Sequence, residues 1–253
     1  PELKEYFGGH CYAPDMRELV RRLNEKGIYT IARLTVFQDP LWAADHPDYA
    51  VQTESTKEVW SDHKGLHFVD VSARPFWEYI TKLSRETYEL GFDEINYDYI
   101  RFPTDGDMDD IYFPQSNDAV KGDPVYGKAT ALKRFFAYLE TQTDEIGVVT
   151  SADLFGMVTT NRDDLGIGQV LEDALPHFDY IAPMVYPSHY PPGFNGWQNP
   201  NDYPHEVIEF SMTSAAERVT ALKNATTTPE AVRAELDALQ LRPWIKKFDY
   251  GGD

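Results

Sequence analysis

The stretch Gly91-Phe92-Asp93-Glu94-Ile95-Asn96-Tyr97-Asp98-Tyr99-Ile100-Arg101-Phe102-Pro103 has the β-rich core of a buried strand, yet Glu94, Asn96, Asp98 and Arg101 interrupt it. Ionised groups are costly to desolvate without partners, so a strand built this way needs a reason for its charges. The pleat sends Glu94, Asn96 and Asp98 to one side and Ile95, Tyr97 and Tyr99 to the other. One side packs a core. The other carries polar chemistry, and the reading adopted here is that this strand ends in an active site.

Similar runs recur on both sides of it. Ile28–Phe37, His67–Val71, Gly147–Leu154, Tyr180–Tyr186 and Pro243–Phe248 read as strands, giving six in all. Segments of helical period lie between them: Asp15–Lys26, Phe76–Leu90, Ala129–Thr143, Asp164–Leu175, Pro204–Leu222 and Pro229–Leu239. The last is expected to be capped by Thr228, with Pro229 at its first position. Strand and helix alternating in this way imply a parallel sheet with helical crossovers. No Gly-rich phosphate loop follows any strand, which favours a (β/α)8 barrel over a doubly wound sheet. Lys4–His10 is a candidate remnant of an earlier strand. No linker or repeat divides the chain, so residues 1–253 read as one barrel domain, incomplete at the chain ends. The start at Pro1 and the stop at Asp253 read as an excerpt of a longer chain.

Composition narrows the partners. The 253 residues carry 42 acidic and 23 basic side chains, a net charge of −19, which repels nucleic acid and anionic lipid and favours a neutral or cationic partner. No run approaches the length of a membrane span, so no membrane insertion is expected of this segment. Cys11, the single cysteine, rules out an intrachain disulfide and thiolate clusters. The histidines show no metal-ligand spacing. The acidic Asp105–Asp110 turn lacks the closing Glu and the Gly placement of a calcium loop. No metal and no cofactor are expected.

The long connections Gln38–Leu66, Thr104–Lys128 and Pro187–Tyr203 follow strands, and in a barrel they project from the C-terminal face, where barrel enzymes build their sites. They are rich in aromatics, among them Trp42, Tyr49, Trp60, Phe113, Tyr190, Phe194 and Trp197. Trp60, His189 and Trp197 are candidates for contact with a sugar's C–H face; miniature loop cores are the plainer reading for about half of these rings. Asp98, late in its strand, is the candidate nucleophile or base, or else the partner of a buried salt bridge to Arg101 or Arg33. Asp153, at the end of the next strand in Ser151-Ala152-Asp153-Leu154, is the candidate general acid, or else a cap or a hydrogen-bond acceptor. Two carboxylates in unlike environments are the minimum set for glycoside hydrolysis. Asp70 is expected to bind a hydroxyl, hold Arg101 or cap a helix. Arg33 is expected to hold a carboxylate ionised or to make a structural pair, and Arg101 to open the loop beside Asp98. Tyr186 is expected to hydrogen-bond the nucleophile or simply to pack. Glu94, deeper in the strand, reads as a structural ion-pair partner.

With the strands placed, the chain resembles a bacterial family assigned to the glycoside hydrolases and long described only as a domain of unknown function, distantly related to α-amylase-like barrels. The resemblance rests on Gly91–Gly106 ("GFDEINYDYIRFPTDG"), Phe68–Ile80, Ser151–Gly156 ("SADLFG"), Tyr180–Tyr190 ("YIAPMVYPSHY") and Leu241–Tyr250 ("LRPWIKKFDY"). It implies a (β/α)8 barrel with its nucleophile on the fourth strand, at Asp98. It also implies an acid on the fifth, at the place of Asp153, where amylase-like barrels usually carry Glu. A further strand and helix beyond Asp253, and a secreted or cell-envelope location, are implied in the same way. The expected activity is cleavage of a polysaccharide or oligosaccharide. A carbohydrate-binding barrel without catalysis and a metal-dependent hydrolase or deacetylase are the alternatives. Sugar, linkage, stereochemical outcome and oligomeric state are not legible in these residues.

Overall fold

A computed structural model of the protein describes residues 15–245. Its centre is a parallel sheet of β1 (Ile31–Thr35), β3 (Glu94–Asp98), β5 (Val149–Phe155), β6 (Tyr180–Met184) and β7 (Gln240–Leu241), hydrogen-bonded in that order. Two short strands, β2 (Gln52–Thr53) and β4 (Ile111–Tyr112), pair antiparallel and tie the long loops together. The helices are α1 (Met16–Asn24), α2 (Pro40–Asp45), α3 (Arg74–Glu89), α4 (Asn117–Gly122), α5 (Gly127–Ile146), α6 (Leu171–Ala174), α7 (Pro204–Asn224) and α8 (Glu230–Ala238).

Local chemistry accounts for the helix ends. Asp15 caps α1 by accepting the Glu18 N–H at 2.9 Å, and Asp39 caps α2 by accepting the N–H groups of Leu41 and Trp42. Gly147 ends α5 in the left-handed region, at φ +76°, where its lack of a Cβ removes the steric cost. The outer face of the sheet supplies Ile95, Tyr97, Ala152, Leu154 and Ile181 to a core closed by Phe76, Trp77 and Ile80 of α3 and Leu132, Phe135, Phe136 and Leu139 of α5. Each fully buried large side chain contributes about 1.5–3 kcal/mol relative to exposure. The Tyr97 hydroxyl, buried among them, is paired with Ser84 Oγ at 2.8 Å.

The inner face is polar. Register aligns Arg33 with Asn96 and Asn96 with Ser151, so these side chains share that face with Glu94, Asp98 and Asp153. Strong curvature is visible in who meets whom. Arg242, just after β7, grips the Glu94 carboxylate on β3 with both terminal nitrogens, although β5 and β6 lie between these strands. In a flat sheet that gap would be about 14 Å at the usual spacing of about 4.8 Å per strand. Tyr29, just before β1, donates to the same carboxylate at 3.1 Å. The sheet therefore curls as a barrel wall does, with both of its edges reaching Glu94 over the inner face. Among the described residues β1 and β7 do not pair with each other.

Three expectations change. His67–Val71 is not a strand of the parallel sheet: it makes isolated antiparallel bridges to Ala50 and Ser61, and the Val69 N–H reaches Phe37 O at 2.8 Å beyond the end of β1. Its neighbouring groups pair with the preceding loop, Phe68 O accepting from Val51 N–H at 2.8 Å and Asp70 N–H donating to Tyr49 O at 2.9 Å. The helix expected over Asp164–Leu175 shrinks to α6, because Leu165, Gly166 and Gly168 all have positive φ. At α8 Pro229, not Thr228, is the cap position, and the Thr228 hydroxyl donates to Leu222 O at 2.6 Å. Lys4–His10, Cys11 and the end of the Pro243–Phe248 run lie outside the described residues; within that run, Trp244 bridges parallel to Met184.

Candidate active site

Asp98 ends β3, and its side chain projects onto the inner face only 4% exposed. One carboxylate oxygen pairs with an Arg33 terminal nitrogen from β1, and the other accepts the Tyr99 N–H at 2.7 Å. Tyr99 holds φ at +53°, an uncommon conformation for a residue with a Cβ, at a cost of order 1–3 kcal/mol. The chain turns sharply there, and that turn brings the Tyr99 N–H onto the carboxylate that precedes it.

Asp153 lies on β5, the next strand, and is 1% exposed. Its Oδ1 accepts Asn96 Nδ2 at 2.8 Å and the Trp244 indole N–H at 2.7 Å, while its Oδ2 faces Arg33 Nε at 3.4 Å. Burial raises its pKa above the usual carboxylate value and the charge of Asp98 adds to the rise; the Asn96 and Trp244 hydrogen bonds and Arg33 oppose it. The two acids on neighbouring strands thus share one guanidinium. Arg33 is itself 53% exposed at its side chain, and Trp244 is 44% exposed, so the carboxylates lie directly beneath two half-open covers.

Around this cluster the other candidates take different places. Tyr186, half-buried just after β6, is near both acids: burial raises its phenol pKa and Asp153 adds to the shift. Its hydroxyl makes no hydrogen bond to Asp98 among the described residues; its ring instead meets the exposed His189 edge-on at 5.1 Å. Arg101 makes no ion pair with Asp98. It donates to Phe102 O at 3.0 Å and lies 5.2 Å from the ring centres of Tyr99 and Phe155, and burial lowers its pKa. Trp197 packs in a loop cluster with Phe194, Tyr203 and Phe210.

Two candidates stand apart. Asp70 is fully buried and spends its carboxylate on the protein: Oδ2 accepts the Gln115 and Ser116 N–H groups at 2.8 and 3.1 Å, and Oδ1 accepts the Ser72 N–H and the Ser116 hydroxyl. It fastens one long loop to another, holds no Arg101, and has no oxygen left for a hydroxyl. Trp60 is 2% exposed, donates its indole N–H to Asp107 O at 2.9 Å and packs on Phe68, as a core residue does. Trp42, Tyr49, Phe113 and Tyr190 are packed in the same manner. Sequence reading missed Asn96 and Trp244 as partners of Asp153. Asn96 carried a usable signal, since it shares a pleat face with Asp98 two residues on. Trp244 carried none, being 91 positions from Asp153.

Comparison with known proteins follows the same line. Residues 2–252 match the family described as "Putative glycosyl hydrolase domain". No curated protein matches the chain. Among solved structures it is similar to the glycoside hydrolase domain of PgaB (BpsB) from Bordetella bronchiseptica, at 16% identity and TM-score 0.54, covering 88% of this chain and 72% of that one. It is also similar to TtGalA, an α-galactosidase from Thermus thermophilus solved with p-nitrophenyl α-D-galactopyranoside, at 12% identity and TM-score 0.50, covering 90% of this chain and 46% of that one. A hypothetical protein from Ruminiclostridium thermocellum ATCC 27405 is 29% identical, covering 60% of this chain and 72% of that one, at TM-score 0.49. At such identities the first two likenesses speak to fold alone, and the fold they share is the curled α/β one described above.

Proposed function

We propose, on the premise that the chain belongs to the glycosyl hydrolase family its residues 2–252 match, that it cleaves a glycosidic bond with Asp98 as nucleophile and Asp153 as general acid. The observation that supports this most is the shared guanidinium: Arg33 touches Asp98, at the end of β3, and Asp153, two residues before the end of the adjacent β5. The two acids differ as the chemistry needs. Asp98 makes the closer pair with Arg33, and Asp153, whose Oδ2 stands 3.4 Å from Arg33 Nε, is the one whose proton is held to higher pH by burial. In the first step the Asp153 proton passes to the leaving oxygen as the bond from the anomeric carbon breaks, its electron pair going to that oxygen, while Asp98 forms the new bond to carbon. Asp153, now a carboxylate, takes a proton from water in the second step, and the water oxygen displaces Asp98. Neighbouring strands about 4.8 Å apart suit the roughly 5–5.5 Å of a retaining pair.

A polysaccharide or oligosaccharide is the substrate class we assign, with His189 and Tyr186 on its approach. A secreted or envelope location goes with that substrate; no helix among the described residues is long and apolar enough to cross a membrane. A barrel that binds saccharide without cleaving it is the second reading, and the depth of Asp153 favours it.

Asp98→Asn separates the two. The wild type is expected to release reducing ends from one or more glycans of a broad panel, with the first-formed anomer retained by proton NMR. Asp98→Asn is expected to lose that turnover, with an unchanged circular dichroism spectrum and saccharide affinity within a few-fold. Full activity in Asp98→Asn would refute the assignment. Saccharide binding with no release by the wild type would establish the non-catalytic barrel.

A further inference from the structure

Asp153 is held unequally at its two oxygens, and the inequality decides where its proton sits. Oδ1 receives two N–H groups, from Asn96 at 2.8 Å and from Trp244 at 2.7 Å. An indole nitrogen only donates. Both lone pairs of Oδ1 are thereby taken, so a proton there would meet a donor in a site where Asp153 is 1% exposed, whereas Oδ2 receives, among the described residues, a single N–H, from Arg33 Nε at the longer 3.4 Å. The Asn96 amide is oriented by a second contact: the Ser151 hydroxyl gives its one proton to Glu94 Oε1 at 2.6 Å, so Ser151 Oγ accepts from the Asn96 NH2 at 3.0 Å and that NH2 faces Asp153. The buried Asn96 oxygen has no partner among the described residues.

We infer that Trp244, with Asn96, is a positioning residue that confines the Asp153 proton to Oδ2, the oxygen turned toward Arg33, and so fixes which lone pair serves the reaction. The inference rests on the glycosidase reading only for its consequence in turnover; the proton's placement is a property of the resting protein. It also gives Trp244 a second task. Once the proton has left, the new carboxylate is met by three N–H donors already in place: Asn96 and Trp244 on Oδ1, and Arg33 Nε on Oδ2 at 3.4 Å. Hydrogen bonds to an ionised acceptor are about twice as strong as neutral ones, so the arrangement favours departure of the proton. Among the described residues, the other charged or titratable groups facing Asp153 are Asp98 from β3, Arg33 from β1 and Tyr186 from the end of β6.

Trp244→Phe keeps the aromatic ring and deletes the donor, and the readout is the titration of Asp153 itself. Carboxyl 13C resonances are followed from pH 3 to 9, with Asp153 identified by its absence in Asp153→Asn, alongside the Trp244 indole 15N–1H signal. The expected results are an indole signal that titrates with the Asp153 midpoint, and a midpoint raised by 0.5 unit or more in Trp244→Phe. In turnover the alkaline limb of kcat/KM should move by the same amount, with KM changed less than kcat. An indole signal insensitive to Asp153, or an identical midpoint in the two proteins, would overturn the inference. A wild type that titrates as expected but cleaves no glycan would instead sink the glycosidase reading and leave the proton's placement standing. Trp244→His, which restores a ring N–H, is expected to return the midpoint toward wild type. If Trp244→Phe fails to fold, the coupled titration of the wild-type indole decides the matter.

Discussion

Replacing Arg33 by methionine keeps an unbranched apolar stem and removes the one cation that, among the described residues, touches both acids. The cost follows from the surroundings. Breaking a buried ion pair costs about 3–5 kcal/mol, whereas an exposed pair contributes about 0–1 kcal/mol. This pair is mixed, with Asp98 5% and Arg33 53% exposed at the side chain, so a loss of about 2 kcal/mol at pH 7 is expected, between those limits. The pH dependence has a definite sign. Asp153 is raised in the folded state, so its contribution is fully present below the unfolded value of about 3.9 and lost as pH rises through the folded one. Arg33 opposes that rise, so its removal lifts the folded value further and deepens the loss above it, by about 1.4 kcal/mol per unit. Urea unfolding of wild type and Arg33→Met at pH 4 and pH 7.5 measures the effect, provided the denaturant slopes agree. The deficit should be small in acid and grow toward neutrality. A deficit equal at the two pH values, or below about 0.5 kcal/mol at both, would refute the claim that Arg33 supports both acids.

Asp70→Ala orphans the Gln115 and Ser116 N–H groups and should cost about 2–4 kcal/mol in unfolding free energy, at about 1–3 kcal/mol per stranded buried group; a neutral result by urea titration would return Asp70 to the candidates for ligand contact. Trp60→Ala should cost about 3–5 kcal/mol, as large aromatic deletions in cores do, and thermal melts will show it. If Trp60→Ala instead folds with wild-type stability and weakens saccharide binding alone, the residue is a platform after all. Gly106→Ala tests the same contact from the other side: its Cβ would stand 2.4 Å from the Trp60 ring at φ +125°, so a lower melting temperature is expected and an unchanged one would mean the loop yields.

The alternation of apolar strands with amphipathic helices was legible because each element writes its own period into a short window of residues. That Tyr97 stands on the opposite side from Asn96 and Asp98 followed from the pleat alone. Asp153 was expected at its strand's end and stands two residues before the end of β5, while the likeness to a hydrolase family rested on whole motifs such as Gly91–Gly106. Loop-borne groups were harder. Trp60 and Asp70 looked like surface chemistry because nothing local distinguishes a ring or carboxylate that meets sugar from one that meets another loop. That distinction depends on partners such as Asp107, Gln115 and Ser116, which lie 45–47 residues away.

By itself, then, the sequence determined the kind of sheet, the side on which its charges stand and the two acids most worth following. Only the tertiary structure decided that one arginine serves both, that a tryptophan 91 residues downstream seats itself on one oxygen of Asp153, and that Glu94 is held by residues from both edges of the sheet. The physical reason is curvature. Backbone periodicity is local, while the bending that brings Arg33, Trp244 and Arg242 over the inner face is a sum of small twists accumulated across five strands.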